Sequence, residues 1–178
     1  NNGCGKTTLM EMILQEANGI YIAPAAKIGY LSQDFSNLSE NKTVLENVLE
    51  TSVHSVSDIR LTLARLLFRR DDVFKKISVL SGGERVKASF AKIILSDANV
   101  IFLDEPTNYL DISSQEVLEE VLAEYCGTLF FISHDRRFLD KIADKILVIE
   151  GGKIIQLPGK YHEYLCKGLP TVPGEAEI

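Results

Sequence analysis

Tryptophan is absent from this 178-residue sequence, and cysteine, methionine and proline are scarce, at three, two and five residues. These shortages exclude several classes of protein. Cys4, Cys126 and Cys166 are scattered, odd in number and without C-x-x-C spacing, so they indicate neither a disulfide framework nor a zinc site, and a cytoplasmic setting is expected. No apolar run approaches the roughly 20 residues of a bilayer span, and no signal peptide is visible. A basic excess is missing too. The 25 acidic residues outnumber the 19 Lys and Arg, and the formal net charge of -6 argues against affinity for nucleic acid through the whole surface. The charge is nevertheless uneven: between Arg60 and Lys92 stand Arg65, Arg69, Arg70, Lys75, Lys76, Arg85 and Lys87, opposed by Asp71, Asp72 and Glu84, while 111–124 is acidic. Solvated helix faces account for most such charges.

What is present is a core and a phosphate loop. A composition of 46% hydrophobic and 25% charged residues over this length is that of one globular domain. The sequence opens Asn1-Asn2-Gly3-Cys4-Gly5-Lys6-Thr7-Thr8 and runs directly into the helical pattern Leu9-Met10-Glu11-Met12-Ile13-Leu14. The pattern G-x-x-x-x-G-K-[ST] ends at Gly5, Lys6 and Thr7, which puts its first glycine one residue before Asn1. The chain is therefore expected to be part of a larger one, with the strand that launches the loop upstream. Small residues such as Gly3 and Gly5 let successive N–H groups converge on a triphosphate at the positive end of a helix. Lys6 would reach the β- and γ-phosphates, and the Thr7 hydroxyl would sit on the bridging Mg²⁺. A glycine turn capping an ordinary helix is the competing reading. Cys4 also has two readings, a small filler between glycines or a thiol made reactive by the helix N-terminus.

The first helix is expected to end near Asn18-Gly19, with short strands at 20–22 and 27–31 around Pro24. Helical signals then take over. Thr43-x-x-Glu46 forms a capping box before Val44, Leu45, Val48 and Leu49, and a helix capped by Ser57 carries Ile59, Leu63 and Leu66. A further helix, with Val86, Phe90 and Ile93 or Ile94 on one face, completes a small helical subdomain over about 34–97. Apolar runs at 100–103, 129–132 and 146–149 alternate with helices, one opened by Ser113-x-x-Glu116 and turning Val117, Val121 and Leu122 inward. Uninterrupted apolar strands separated by helices predict an α/β fold, a mostly parallel sheet covered by helices. Gly151-Gly152 turns the last run into a C-terminal β-hairpin with 153–155. The domain is expected to span 1–165, with 166–178 as a tail or linker.

In such sheets ligands bind beyond the carboxyl ends of the strands. Asp104 and Glu105 directly follow an apolar run, Asp104 placed to hold Mg²⁺ through water and Glu105 to orient or deprotonate the attacking water; capping a helix is the alternative. His134, in Ser133-His134-Asp135, could contact a γ-phosphate and link its loss to a loop movement, or be a structural polar residue beside a capping Asp135. Gln33 carries an amide able to touch both Mg²⁺ and water. Leu80-Ser81-Gly82-Gly83-Glu84 reads as a capping box whose glycines would let the backbone approach a phosphate. One nucleotide does not need two such helix ends from one domain, so another copy of the fold is expected to complete the site.

These motifs, with Ile101-Phe102-Leu103-Asp104-Glu105-Pro106-Thr107-Asn108-Tyr109-Leu110-Asp111, stand in the order found in ATP-binding-cassette domains, which the chain resembles over nearly its whole length. The resemblance implies a P-loop NTPase in which residues 2–8 (Asn2, Gly3, Cys4, Gly5, Lys6, Thr7 and Thr8) and Gln33 bind ATP. It further implies that Thr7, Gln33 and Asp104 arrange Mg²⁺, that Glu105, His134 and Lys6 act in catalysis, and that Asp111 closes the D-loop. Ser81, Gly82, Gly83 and Glu84 would form the signature that closes on ATP held by a partner cassette. The run 104–111 and Glu84 are similar to the F subfamily, ABC-F, which implies an ATPase of twin cassettes that acts on the ribosome and tRNA and has no membrane domain. The segment 65–76 resembles members that protect ribosomes from antibiotics. No room for an inserted arm lies between Gln33 and Leu80, as in a second cassette. The adenine-stacking residue would lie upstream of Asn1. A membrane transporter's ATPase domain shares the same catalytic set, and an ATP-timed ribosome-binding switch is a further alternative.

Overall fold

The computed structural model describes residues 5–17, 19–32, 34–150, 153–157 and 161. In chain order the elements are α1 (Lys6–Leu14), β1 (Ile28–Leu31), α2 (Val44–Leu49), α3 (Val56–Arg65), α4 (Gly82–Ile94), β2 (Val100–Asp104), α5 (Ile112–Ala123), β3 (Thr128–Ile132), α6 (Arg136–Ile142), β4 (Ile146–Glu150) and β5 (Lys153–Leu157). Short 3-10 turns occupy Asp72–Phe74 and Ile77–Val79. Contacts divide these elements into two units, Asn1–Tyr21 with Ser133–Ile178, and Ile22–Ile132. Among the described residues no helix is long and apolar enough to cross a membrane.

Within Ile22–Ile132, the apolar runs pair into a parallel sheet of order β1-β2-β3. Tyr30, Phe102 and Phe130 share a row, with the Phe102 and Phe130 rings 5.1 Å apart. The middle strand is the buried one, with Ile101 and Leu103 fully enclosed, whereas β1 and β3 are largely half-buried. This is the α/β arrangement that the alternation of strands and helices implies. The helical part is built on the expected Thr43–Glu46 capping box, in which the Thr43 hydroxyl accepts from the Glu46 N–H and the Glu46 carboxylate accepts from the Thr43 N–H. Ile59, Leu63, Leu66, Val86 and Phe90 are buried at their helical spacing.

Two caps differ from expectation. Ser55, not Ser57, caps α3, because Ser55 is the serine in extended conformation with an acid three residues on; its hydroxyl accepts from Asp58 N–H and donates to the Asp58 carboxylate. Asp111, not Ser113, caps α5, where its full negative charge faces the helix N-terminus and accepts from Ser114 N–H at 2.7 Å. Leu118 takes the buried place beside Val121 and Leu122, and Val117 is only half-buried.

In the other unit, α1 ends at Leu14, earlier than Asn18-Gly19, and Asn18 lies outside the described residues. Glu16 adopts φ 48, the Ala17 N–H reaches Met12 O, and the Glu16 N–H reaches Ile13 O. That double bond is a Schellman stop made without glycine. The expected strand at 20–22 does not form. β4 joins β5 in the expected antiparallel hairpin, and its residues are partly exposed. An apolar run reads alike whether one face or two are covered. The Gly151-Gly152 turn and the tail 166–178 lie outside the described residues.

Glu50, which follows α2, joins two elements. Its carboxylate pairs with Lys42 and, at 2.8 Å, with the largely buried Lys92 of α4, which also donates to Asn37 O. The Lys42 ammonium first, then that of Lys92, holds the Glu50 carboxyl down at about 2. A carboxyl depressed below its unfolded value of roughly 4.3 stabilises fully above that value and loses its contribution as pH falls toward the folded one. Glu50→Gln should therefore lower the melting temperature at neutral pH. The gap from wild type should shrink as pH is lowered from about 4.5 toward about 2; a gap constant with pH, read by calorimetry, would contradict this role.

Candidate functional site

Gly5 precedes α1 at φ 90, ψ 13, a left-handed conformation that a side chain would strain. The carbonyl of Gly5 accepts from Leu9 N–H at 2.8 Å, so the first turn is formed. That turn has no side-chain cap and no acid. Among the described helices the other five are each capped by a side chain, from Thr43, Ser55, Ser81, Asp111 and Asp135. No side chain occupies the start of α1, and an anion there suits both the helix geometry and the helix dipole. Thr7 and Thr8 are exposed on this turn.

Lys6 is the first helical residue, and its Nζ lies 3.2 Å from Nε2 of His134, 128 residues away. An ammonium only donates, so Nε2 accepts and a neutral ring carries its proton on Nδ1. The two residues assigned to phosphate chemistry from opposite ends of the sequence therefore meet. Asp135 does cap α6, accepting from Arg137 and Phe138 N–H, while Ser133 Oγ accepts from Asp135 N–H. The capping role belongs to Asp135 and leaves His134 exposed beside Lys6.

In the unit Ile22–Ile132, the chain leaves the middle strand at Asp104, whose side chain is buried with Oδ1 accepting no hydrogen bond. An orphaned buried carboxylate oxygen costs about 1–3 kcal/mol unless something donates to it or coordinates it. A hydrated divalent cation answers that requirement, so Asp104 fits a place in a Mg²⁺ shell. Glu105 follows at φ 51, rare for a residue with a side chain, its N–H bonded to Ile132 O at 3.0 Å and its carbonyl to Asn108 N–H at 3.1 Å. Bonds on both sides hold a conformation that costs about 1–2 kcal/mol. The strand end thus presents one buried and one strained carboxylate in succession.

The loop continues through Thr107, which is buried, and Tyr109, at φ 65 and 76% exposed, to Asp111 at the start of α5. The Ser114 backbone and hydroxyl hold the Asp111 carboxyl below its usual range. Gln115 Nε2 braces the loop by donating to Thr107 O and Leu110 O, both at 3.3 Å. Tyr109 stands in the expected motif run, whereas Gln115 does not, and no local pattern signals a side chain that holds carbonyls.

Ser81 to Glu84 form the expected capping box: Ser81 Oγ accepts from Glu84 N–H, and the Glu84 carboxylate accepts from Ser81 N–H at 2.8 Å and from its hydroxyl at 2.7 Å. The hydroxyl, then the N–H, lowers the Glu84 carboxyl. The two glycines differ. A Cβ on Gly83 would meet Tyr109 O at 2.7 Å, whereas one on Gly82 would make ordinary contact with the Tyr109 ring at 3.7 Å. Packing of this chain explains Gly83 but not Gly82.

Lys6 and His134 are thus brought together in one unit, while Asp104, Glu105, Ser81, Gly82, Gly83, Glu84 and Asp111 belong to the other. Asn2, Gly3, Cys4 and Gln33 lie outside the described residues.

The sequence model of the ABC transporter family matches residues 1–108. Among curated proteins, the chain is 39% identical to the putative ATP-binding protein YdiF of Bacillus subtilis, over 93% of this chain and 27% of that protein. It is 38% identical to ABC transporter F family member 5 of Arabidopsis thaliana, over 99% of this chain and 26% of that protein. It is also 40% identical to the ribosome protection protein VmlR of Bacillus subtilis, over 86% of this chain and 28% of that protein. The chain spans about a quarter of the length of these relatives.

The two signature glycines give a test within one unit. Gly83→Ala should cost about 1–3 kcal/mol in urea denaturation, because a backbone carbonyl must move. Gly82→Ala should leave stability level or slightly raised. Equal losses at both positions would overturn the assignment.

Proposed function

The chain belongs to the ABC transporter family, and on that premise we propose that it is one ATP-binding and ATP-hydrolysing cassette of an ABC-F protein acting on the ribosome. Domain limits of 1–165 go with this reading, and the lack of room for an inserted arm between Gln33 and Leu80 supports a second cassette. The observation that carries the chemistry is the end of β2, where Asp104 holds a buried, unsatisfied oxygen and Glu105 is fixed at positive φ.

In this reading the uncapped start of α1 and the Lys6 ammonium bind the phosphates of ATP, with Asn2, Gly3, Cys4, Gly5 and Thr8 lining the loop. Thr7, Gln33 and Asp104 hold Mg²⁺, which when bound neutralises charge on the β- and γ-phosphates. Glu105 orients a water and takes its proton as the water oxygen bonds to the γ-phosphorus and the bond to the bridging oxygen breaks. His134, already within reach of Lys6, exchanges that contact for the γ-phosphate and so registers its presence. Ser81, Gly82, Gly83 and Glu84 serve ATP bound to the partner cassette, and Asp111 fixes the loop between the two sites. Freedom of Gly82 from any packing need in its own chain supports that assignment.

The ribosomal role is supported by likeness to F-family members and to a protein named for ribosome protection. Nucleotide would close the paired cassettes, and hydrolysis would reopen them, with the work delivered to tRNA or drug on the ribosome. Glu105→Gln, made with its counterpart in the partner cassette of the full-length protein, should slow hydrolysis by about 10²–10⁴-fold while ATP binding persists. The closed form should then pellet with ribosomes in ATP. Absence from the ribosome pellet with ATP binding intact would sink the ribosomal role and leave the ATPase role standing.

A further inference from the structure

Unpaired positive charge gathers in one part of the unit Ile22–Ile132. Six of its lysines and arginines are in ion pairs: Lys27 with Asp97, Lys42 and Lys92 with Glu50, Arg65 with Glu124, Lys75 with Asp72, and Arg85 with Glu40. The remaining five are Arg60, Arg69, Arg70, Lys76 and Lys87, and among the described residues none has a carboxylate within ion-pair distance. All five surround the segment between α3 and α4. The Arg60 guanidinium lies 5.7 Å from the Phe74 ring centre, and the Lys87 ammonium 5.3 Å from that of Phe68. Arg69 and Arg70 stand between these two phenylalanines, and Lys76 just after the second.

Within the segment Asp71 and Asp72 stand against Arg69, Arg70, Lys75 and Lys76, so a positive excess remains. Asp72 is engaged by Lys75 and by the Arg69 N–H. Leu67, at φ 64, turns the chain away from the end of α3, and Phe74 remains 53% exposed. Exposed guanidiniums beside an exposed ring match a polyanion that carries both phosphates and bases, since the planar forks bind phosphate oxygens and the ring offers a stacking face. A bilayer fits less well. Of the large apolar residues of α3, Ile59 and Leu63, with Leu66 just beyond, are buried in the core, which leaves Val56 and Leu61 as the exposed ones.

We propose that the segment joining α3 to α4 is a sequence-independent contact for the sugar–phosphate backbone of RNA. This rests on the ribosomal reading above and adds to it the surface of this chain that meets the RNA. It also reconciles RNA binding with an overall charge of -6, because the field is local.

The test uses the full-length protein, purified ribosomal RNA as the probe, and phosphatidylserine–phosphatidylcholine vesicles in parallel. Each phosphate contact contributes close to one unit of slope to log K against log salt. Arg69→Ala with Arg70→Ala should therefore reduce the slope for RNA by about two, while Lys27→Ala, removing a paired cation elsewhere, leaves it unchanged. ATP hydrolysis without ribosomes should stay at the wild-type rate in both. An unchanged slope in the double variant, no RNA binding by wild type, or charge-dependent binding to vesicles alone would each overturn the proposal. Slope loss on RNA with no pelleting on intact ribosomes would uphold the RNA contact and reject the ribosomal reading.

Discussion

The end of β2 is the constraint on which the rest depends. Asp104 is the last residue of a strand paired on both sides, to β1 through Leu103 and to β3 through its own row, so its carboxylate has little freedom to leave the buried place it occupies. The next N–H is spent on Ile132 O, which extends the ladder one residue past the strand, and Glu105 itself stands at positive φ. Hydrophobic pairing of three strands is thereby converted into the fixed direction of two carboxylates. The orphaned Oδ1 and the strained backbone are both unfavourable in isolation, and a core of the kind formed by Ile101 and Leu103 supplies the stability that offsets them.

The loop that follows carries this order outward. Gln115 fixes two of its carbonyls, and Tyr109 O rests where any side chain on Gly83 would have to be. The capping box at the head of α4 is consequently tied by packing to the loop that leaves Glu105. A displacement of either would be felt at the other, because close-packed backbone contacts do not deform gradually. Gly82 and the exposed Tyr109 ring face outward from this junction.

Much of this was legible in the sequence where the deciding physics is local. Thr43-x-x-Glu46 and Ser81-x-x-Glu84 formed the capping boxes their spacing implies, and the apolar runs became parallel strands with acids at the end of β2. Ser57 and Ser113 were plausible caps that lost to Ser55 and Asp111, two residues earlier in each case. Ser55 has Asp58 three residues on where Ser57 has Arg60, and Asp111 brings a full negative charge to the helix N-terminus, so local chemistry separates the candidates. β4 and β5 pair as the expected C-terminal hairpin, although the apolar run of β4 reads like that of β2. The sequence placed Lys6 and His134 each toward the phosphates of a nucleotide, and their direct contact was not legible in it. Gln115 was invisible because it acts on backbone carbonyls, and Tyr109, though within the motif run, gave no sign that its carbonyl packs on Gly83.

The central claim is that the buried oxygen of Asp104 belongs to the coordination shell of the cation that accompanies ATP. The most direct measurement is titration of a fluorescent ATP analogue into the full-length protein, wild type against Asp104→Asn in both cassettes, with Mg²⁺ and with chelator. The account predicts that wild type binds nucleotide more tightly with Mg²⁺ and that Asp104→Asn loses most of that metal-dependent gain while keeping its affinity in chelator. A full metal-dependent gain in Asp104→Asn would contradict it.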